Sequence, residues 1–257
     1  MLNRPTDRIQ YFSFRLRDKL FPILLNIIKK DKVHELRLKN EKPDLENVIY
    51  AVSHYSCHDF KYASEVIGKR CWVLVGKQRF DMVSLIGLRL NGIIWADRNN
   101  KYQKKRAVKR INKLLQLGEN VIIFPEGTWN MTHSLPIMPL YWGIIDIARE
   151  TKRPIVPLVF DYEYAGGTCS AMFGQPMYIR ADDEKLDKIN ELRDEMCTLL
   201  WLNWEKKPLI HRSDVSQEMW KKELDYRLGE YPLLDAEYEK SFMRGLHQNE
   251  NRVSVHR

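Results

Sequence analysis

Two residues near the start of the sequence, His54 and Asp59, have the types and the spacing of a general base and the carboxylate that orients it. A carboxylate that accepts one imidazole N–H fixes the tautomer of the ring and leaves the other nitrogen to take a proton. In a helix these two side chains would lie about 140° apart around the axis. We therefore expect His54 in the loop after a strand and Asp59 in the first turn of the next helix.

The second histidine of this stretch, His58, is too close to Asp59 in sequence to be oriented by it, so we interpret it as a neighbour of the base. A zinc site built on His54, His58 and Asp59 would need further ligands, and no H-x-H pair or third carboxylate lies nearby in the sequence. We therefore expect neither a metal nor a cofactor. The four cysteines have no C-x-x-C spacing, which predicts reduced thiols in a cytosolic protein.

Polar residues follow further apolar runs along the chain. Arg98 comes shortly after the run at 92–96, and Glu126 and Gly127 follow the run at 120–124. In an open α/β sheet, ligands bind at the carboxyl ends of the strands. We therefore predict that these side chains meet His54 at one edge of the sheet.

The elements that must position these residues alternate along the chain. Apolar, β-branched runs predict buried strands at 48–52, 71–76, 92–96, 120–124 and 154–160. Helical spacing predicts helices at 101–117 and 183–206, and glycines near 166–167 and 174 predict a hairpin between them. This alternation predicts an α/β fold in which helices flank a mostly parallel or mixed central sheet.

The N-terminal part is amphipathic. Apolar residues at 9–28 recur at helical spacing and are flanked by lysines and arginines. Such a segment either packs on the domain or lies as a helix in a membrane interface. Its longest apolar stretch, 20–28, would span only about 14 Å against a hydrocarbon core of roughly 30 Å, so we expect no membrane crossing. We divide the chain into an N-terminal helical segment (1–47), a main domain (48–206) and a polar helical extension with its tail (207–257).

Charge is distributed unevenly along the chain. The net charge is +8, but residues 1–120 contain 25 Lys and Arg against 12 Asp and Glu, whereas residues 121–257 contain 17 against 22. This asymmetry favours a polyanionic partner for the first half. The basic helix at 101–117 is either a solvated face or a landing site for CoA phosphates, an acidic carrier protein or anionic lipid. Its lack of exposed aromatic residues argues against a nucleic-acid partner.

The order of motifs resembles that of the glycerolipid acyltransferases, typified by 1-acylglycerol-3-phosphate acyltransferase. The resemblance covers about residues 48–180. It is carried by H-x4-D at 54–59, G-x-x-x-x-x-R ending at Arg98, FPEGT at 124–128 and PIVP at 154–157. Lys77 also stands where the family often has a lysine.

The resemblance implies transfer of a fatty acyl group from an acyl-CoA or acyl-carrier-protein thioester to the hydroxyl of a lysophospholipid. In that reaction His54 takes the proton of the attacking hydroxyl, so no covalent acyl-enzyme is needed. Arg98 and Lys77 are then expected to hold the acceptor phosphate. Glu126, Gly127 and Thr128 are expected to shape the acceptor pocket, and backbone N–H groups beside Gly127 to stabilise the oxyanion. The implied enzyme is cytoplasmic and associated peripherally with the inner face of a membrane.

Two departures from the family pattern leave the acceptor open. Trp129 stands where the family usually has an arginine, and Tyr141 and Trp142 stand where a lysine is common. Both changes remove a cation from the expected phosphate site. Alternatives are therefore a non-phosphate acceptor, such as a specialised lipid, a glycan or an amine, or a non-catalytic lipid-binding protein.

Overall fold

The computed structural model describes residues 35–56, 58–76, 92–97, 100–130, 135–163, 167–207, 211–219, 221–222 and 225. Two predicted site residues, Lys77 and Arg98, lie outside the described residues, as does the amphipathic stretch at 9–28. No helix within the described ranges is long and apolar enough to cross a membrane.

Seven strands and four α-helices form the described fold. The strands are β1 (Glu35–Leu38), β2 (Ile49–Val52), β3 (Cys71–Gly76), β4 (Ile93–Ala96), β5 (Asn120–Ile123), β6 (Ile155–Glu163) and β7 (Thr168–Phe173). The helices are α1 (Asp59–Ile67), α2 (Lys101–Gln116), α3 (Gly143–Thr151) and α4 (Lys185–Glu205), followed by a short 3-10 turn at Arg212–Asp214. The predicted α/β class, with a mixed sheet flanked by helices, is confirmed.

All seven strands form one sheet in the order β1-β7-β6-β2-β5-β3-β4. The five strands from β6 to β4 run parallel, and β7 pairs antiparallel with β6. β2 therefore lies in the middle of the sheet, between β6 and β5. The carboxyl ends of these five parallel strands lie at the same end of the sheet. We call this end, as distinct from the edge strands β1 and β4, the active edge.

The two faces of the sheet have separate cores. Ile49 and Ala51 of β2 point to the face covered by α2, α3 and α4, whereas Tyr50 and Val52 point to the face covered by α1. This alternation follows from the two-residue period of a strand. Every residue of β2 is buried, and each fully buried aliphatic side chain contributes about 1.5–3 kcal/mol. The strand that precedes His54 is therefore held from both sides.

The edge strand β1 corrects one prediction. The sequence analysis placed 1–47 in a helical segment, but Glu35–Leu38 pairs in parallel with β7 at the sheet edge. Three of its four residues are exposed, so it carries no apolar run. A short, charged edge strand of this kind is a common way to prevent edge-to-edge pairing, and it gives little sequence signal.

Helix α2 is stabilised by its N-cap and by its buried face, whereas repulsion between its basic residues destabilises it. The Asn100 side chain accepts hydrogen bonds from the N–H groups of Tyr102 and Gln103, and five residues of the helix are buried. The helix contains seven Lys or Arg and no acidic residue. Four pairs of like charges stand at i,i+4 spacing, and each such pair costs about 0.2–0.5 kcal/mol. Helix stability therefore does not explain the basic composition of α2.

The turn after β5 depends on Gly127. Its φ is +74°, and its N–H donates to the Phe124 carbonyl oxygen at 3.0 Å. A Cβ at this position would lie 2.5 Å from Cε2 of Tyr141. Tyr141 in turn donates its backbone N–H to the Pro125 carbonyl at 2.9 Å. Both the backbone conformation and the space at this turn therefore require glycine.

We predict that Gly127→Ala destabilises the protein by about 2–3 kcal/mol, because strain at positive φ adds to a clash with the Tyr141 ring. The matched control is Gly118→Ala: Gly118 has a φ of +85°, but nothing lies within 4 Å of its added Cβ. That control is expected to lose only about 1 kcal/mol. Urea unfolding of both variants measures the difference, and equal losses would contradict the role of Tyr141.

Candidate active site

His54 lies at the active edge, two residues after the end of β2. Asp59 is in the first turn of α1, as predicted, and its Oδ2 lies 2.9 Å from Nδ1 of His54. An ionised carboxylate only accepts hydrogen bonds, so Nδ1 carries the proton and Nε2 is left without one. In a neutral imidazole this contact favours the tautomer with the proton on Nδ1.

The Asp59 carboxylate is fully buried and accepts several hydrogen bonds. Besides His54, Oδ2 accepts the backbone N–H groups of Tyr55 at 2.6 Å and Ser56 at 2.9 Å. Oδ1 accepts the hydroxyl of Tyr162, which stands near the end of β6. One carboxylate therefore fixes both the imidazole and the loop that carries it.

Two aromatic rings surround the imidazole. The Phe124 ring stacks on it with centroids 4.2 Å apart and planes inclined by 23°. The Trp129 ring meets it edge-on, with centroids 6.0 Å apart and planes inclined by 82°. The His54 side chain keeps 16% of its surface exposed, so the ring is held in place and still reachable from outside. The tryptophan that departs from the family pattern is therefore next to the proposed base.

The Glu126 carboxylate holds the backbone of the same loop. One oxygen accepts the N–H of His54 at 2.8 Å, and the other accepts the N–H of Met138 at 2.9 Å. The residue is fully buried, and burial raises the pKa of its carboxyl to about 8 against the opposing effect of these two N–H groups. These contacts connect the loop after β2 with the loop at 135–140, and the role of Glu126 in shaping an acceptor pocket stays a prediction.

The segment after the Gly127 turn closes over the base. The N–H of Asn130 donates to the His54 carbonyl at 2.6 Å, and its side chain donates to the carbonyls of Leu135 and Pro136. The Tyr55 hydroxyl also donates to the Pro136 carbonyl. His54 thus contacts Glu126 through its own N–H and Asn130 through its carbonyl, and its neighbour Tyr55 contacts Pro136.

Helix α4 supports this loop from behind. Two nitrogens of the Arg193 guanidinium donate to the Ile137 carbonyl, at 3.0 and 2.9 Å. Ile137 itself is fully buried in the core beneath α3 and α4. The loop at 135–140 is therefore fixed both by apolar packing and by a cation.

The structure brings together four of the predicted site residues, namely His54, Asp59, Glu126 and Gly127. Thr128 is half-buried beside them. The N–H of Gly127 itself donates to the Phe124 carbonyl, and the oxyanion role of the N–H groups beside Gly127 stays a prediction. Among the described residues, no group of three or more His, Cys, Asp or Glu side chains is placed to hold a metal ion.

Sequence reasoning missed Tyr162 and Phe124. Tyr162 lies 103 residues after Asp59 in the chain, and only the pairing of β6 beside β2 brings the two together. Phe124 was included in the FPEGT motif but given no role. Its position directly after β5, next to the β2 strand that precedes His54, was the available signal.

Comparisons with known proteins show the family of this chain and its fold. Residues 32–161 match the family model described as Acyltransferase, which covers about half of the chain. A 1-acyl-sn-glycerol-3-phosphate acyltransferase of Saccharomyces cerevisiae is 30% identical over 120 residues, 43% of this chain and 37% of the relative. An enzyme of the same name from Cocos nucifera is 29% identical over 128 residues, 45% of this chain and 41% of the relative. The chain thus spans about two fifths of the length of each of these relatives.

A solved structure shows the same fold. The crystal structure of the 1-acyl-sn-glycerophosphate (LPA) acyltransferase PlsC from Thermotoga maritima superposes with a TM-score of 0.60. The match covers 79% of this chain and 89% of that one, at 14% sequence identity.

We predict that Tyr162→Phe lowers kcat about 10-fold with little change in KM, the loss expected for one hydrogen bond of about 1.4 kcal/mol to a charged group. The variant loses a donor that holds Oδ1 of Asp59, and thereby the imidazole, in place. The control is Tyr178→Phe, since Tyr178 is 62% exposed. A kcat for Tyr162→Phe equal to that of the control, or a loss that appears only in KM, would contradict this assignment.

We also predict a pH-dependent contribution of Glu126 to stability. Its carboxyl has a pKa of about 8 in the folded protein against an ordinary value of 4.5, so the folded state holds a proton that the unfolded state releases in this window. The unfolding free energy contributed by Glu126 therefore falls as pH rises from about 4.5 to about 8. Glu126→Gln lacks this titration.

Chemical denaturation across that pH range tests the prediction. The unfolding free energy of the wild type minus that of Glu126→Gln should decrease steadily with rising pH. Glu150→Gln, a change at an exposed residue, should show no such trend. A difference between wild type and Glu126→Gln that does not vary with pH would rule out the raised pKa.

Proposed function

This chain belongs to the Acyltransferase family, and from that premise we propose that it transfers a fatty acyl group from a thioester to the hydroxyl of a lysophospholipid resembling 1-acylglycerol-3-phosphate. The thioester is an acyl-CoA or an acyl-carrier protein. The observation that carries the proposal is the 2.9 Å contact between His54 Nδ1 and Asp59 at the active edge. It leaves Nε2 of a positioned imidazole to accept the hydroxyl proton.

The proposed reaction proceeds in one direct attack. Nε2 of His54 takes the proton from the acceptor hydroxyl as its oxygen attacks the thioester carbonyl. The carbonyl reforms as the C–S bond breaks, and the imidazolium returns its proton to the departing thiolate. Asp59 stabilises the imidazolium in between, since its carboxylate accepts the Nδ1 hydrogen throughout.

Arg98 and Lys77 are proposed to bind the acceptor phosphate, because a guanidinium and an ammonium are suited to phosphate oxygens. The acceptor is a lipid, so the active edge must approach a membrane. We therefore propose that the protein is cytoplasmic and associates peripherally with the inner face of a membrane, with the active edge towards the bilayer.

A second candidate keeps this chemistry and changes the acceptor. It is favoured by Trp129, whose ring stands 6.0 Å from the His54 ring where the family usually has an arginine. An aromatic ring at this place suits a sugar or an apolar acceptor better than a phosphate. Incubation with a labelled acyl thioester and a panel of lysophosphatidate, neutral lysolipids, glycolipids and amines, analysed by mass spectrometry, distinguishes the two candidates. Turnover of lysophosphatidate supports the first, and turnover of another acceptor alone supports the second.

We predict that His54→Ala lowers kcat/KM about 100- to 10,000-fold, because removal of a general base costs about 10²–10⁴ in rate. Its unfolding free energy should change by no more than about 1–2 kcal/mol, since the side chain is held mainly by one hydrogen bond and ring contacts.

The matched control is His58→Ala. His58 precedes α1 four residues after His54, and its ring faces Tyr62 at 6.2 Å. This control should retain most of its activity in the same labelled-thioester assay. An active His54→Ala protein, or a His58→Ala protein that is equally inactive, would overturn the assignment of the base.

A further inference from the structure

Helix α2 presents a surface that the proposed reaction does not use. Its basic residues are all exposed, and we call them the cationic face: Lys101, Lys104, Lys105, Arg106, Lys109, Arg110 and Lys113. Among the described residues, no salt bridge pairs Lys101, Lys105 or Lys109 with a carboxylate. By contrast, Lys185 of α4 pairs with Asp146 at 2.6 Å, and Lys188 with Glu191 at 2.7 Å. The repulsion among Lys101, Lys105 and Lys109 is therefore not offset by a salt bridge among the described residues, and an acidic partner would reduce it.

The position of α2 relates this face to the active site. The helix begins five residues after the end of β4, so its first turn lies at the active edge. β4 is three strands away from β2, a separation of about 14 Å. From there α2 runs for about 24 Å along the sheet, away from the active edge. The cationic face thus starts at the same end of the sheet as His54 and extends along one face of the sheet, away from that end.

We infer that the cationic face docks an acidic carrier protein that presents the acyl group as a thioester. This inference rests on the function proposed above and assigns the donor and its binding surface. A negatively charged protein surface along α2 is complementary to the cationic face over its whole length. The thioester arm of the carrier protein then enters at the active edge, because the first turn of α2 and His54 both lie at that end of the sheet.

The geometry favours a protein over a bilayer. The apolar side of α2, which includes Ala107, Ile111, Leu114 and Leu115, is buried against the sheet. The helix therefore has no apolar face left to insert into a membrane interface. A flat bilayer that touches the active edge would also meet only the first turn, because α2 runs away from that edge. Lys109 and Lys113 would then not contact the bilayer.

Tyr102 supports a protein interface at the end of the helix nearest the base. Its side chain is 86% exposed, contrary to the sequence-based expectation of no exposed aromatic residue on this helix. Tyrosine is enriched in protein–protein interfaces, whereas single-stranded nucleic acid is bound on a series of stacked aromatic rings. One tyrosine among seven cations therefore fits an acidic protein better than a nucleic acid.

The test compares three donors that carry the same palmitoyl group: an acidic bacterial acyl-carrier protein, CoA, and pantetheine, which has neither protein nor phosphate. The double variant Lys105→Glu/Lys109→Glu should lower kcat/KM for the carrier-protein donor about 10-fold or more, mainly through KM. The kcat/KM for palmitoyl-pantetheine should stay within about 2-fold of the wild type. Added salt should reduce kcat/KM for the carrier protein in the wild type more than in the variant.

The control is Lys39→Glu/Lys152→Glu, which makes the same change in net charge at two exposed lysines away from α2 and is expected to leave all three donors unchanged. An equal loss with CoA would assign the face to CoA phosphates, and lost binding to phosphatidylglycerol vesicles with normal carrier-protein kinetics would assign it to lipid. Either result overturns the inference. So does a wild type that uses CoA and pantetheine donors but not the carrier protein. A wild type that turns over none of the three donors would refute the proposed function itself.

Discussion

The structure around the base depends on one buried carboxylate. A charged group removed from water costs several kcal/mol unless hydrogen bonds replace its hydration. Asp59 is fully buried, and it accepts the His54 ring N–H, two loop N–H groups and the Tyr162 hydroxyl. These donors come from β2's loop and from β6, so the carboxylate is stabilised only when both are in place. The same contacts that make the buried charge tolerable therefore also set the orientation and tautomer of the imidazole.

Asp59 positions the His54 ring, and a second buried carboxyl group, that of Glu126, positions the His54 backbone. Glu126 accepts the His54 N–H and the Met138 N–H, and the adjacency of β2 and β5 in the sheet brings it within reach. The nearby Asp59 charge adds to the effect of burial in raising the pKa of Glu126. His54 is thus held between two buried carboxyl groups, and the charge of Asp59 disfavours a charge on Glu126. Backbone donors from fixed loops keep this arrangement stable, which explains why residues 126–138 are so closely tied to His54.

The sequence predicts those parts of this site that depend on local spacing. The H-x4-D pair was found because a strand, a short loop and the first turn of a helix follow one another within a dozen residues. Tyr162 was not, because its contact needs the pairing of β6 with β2 and an extension of β6 beyond the active edge. Glu126 was found, but its contacts with the N–H groups of His54 and Met138 were not, since sequence does not show that a motif glutamate is buried. β1 was missed because its alternation of charged residues and leucines covers only four residues, which is too short to indicate a strand.

The topology also separates the surfaces on which two substrates would arrive. The carboxyl ends of the parallel strands open at the active edge, where the aromatic rings of Phe124 and Trp129 frame the imidazole. The cationic face of α2 instead lies along the side of the sheet and reaches the active edge only at its first turn. A lipid acceptor embedded in a membrane must come to the active edge itself, because its hydroxyl cannot travel far from the bilayer. A water-soluble donor of the proposed kind has no such constraint and could bind along α2, so the two proposed substrates would reach one imidazole without competing for one surface.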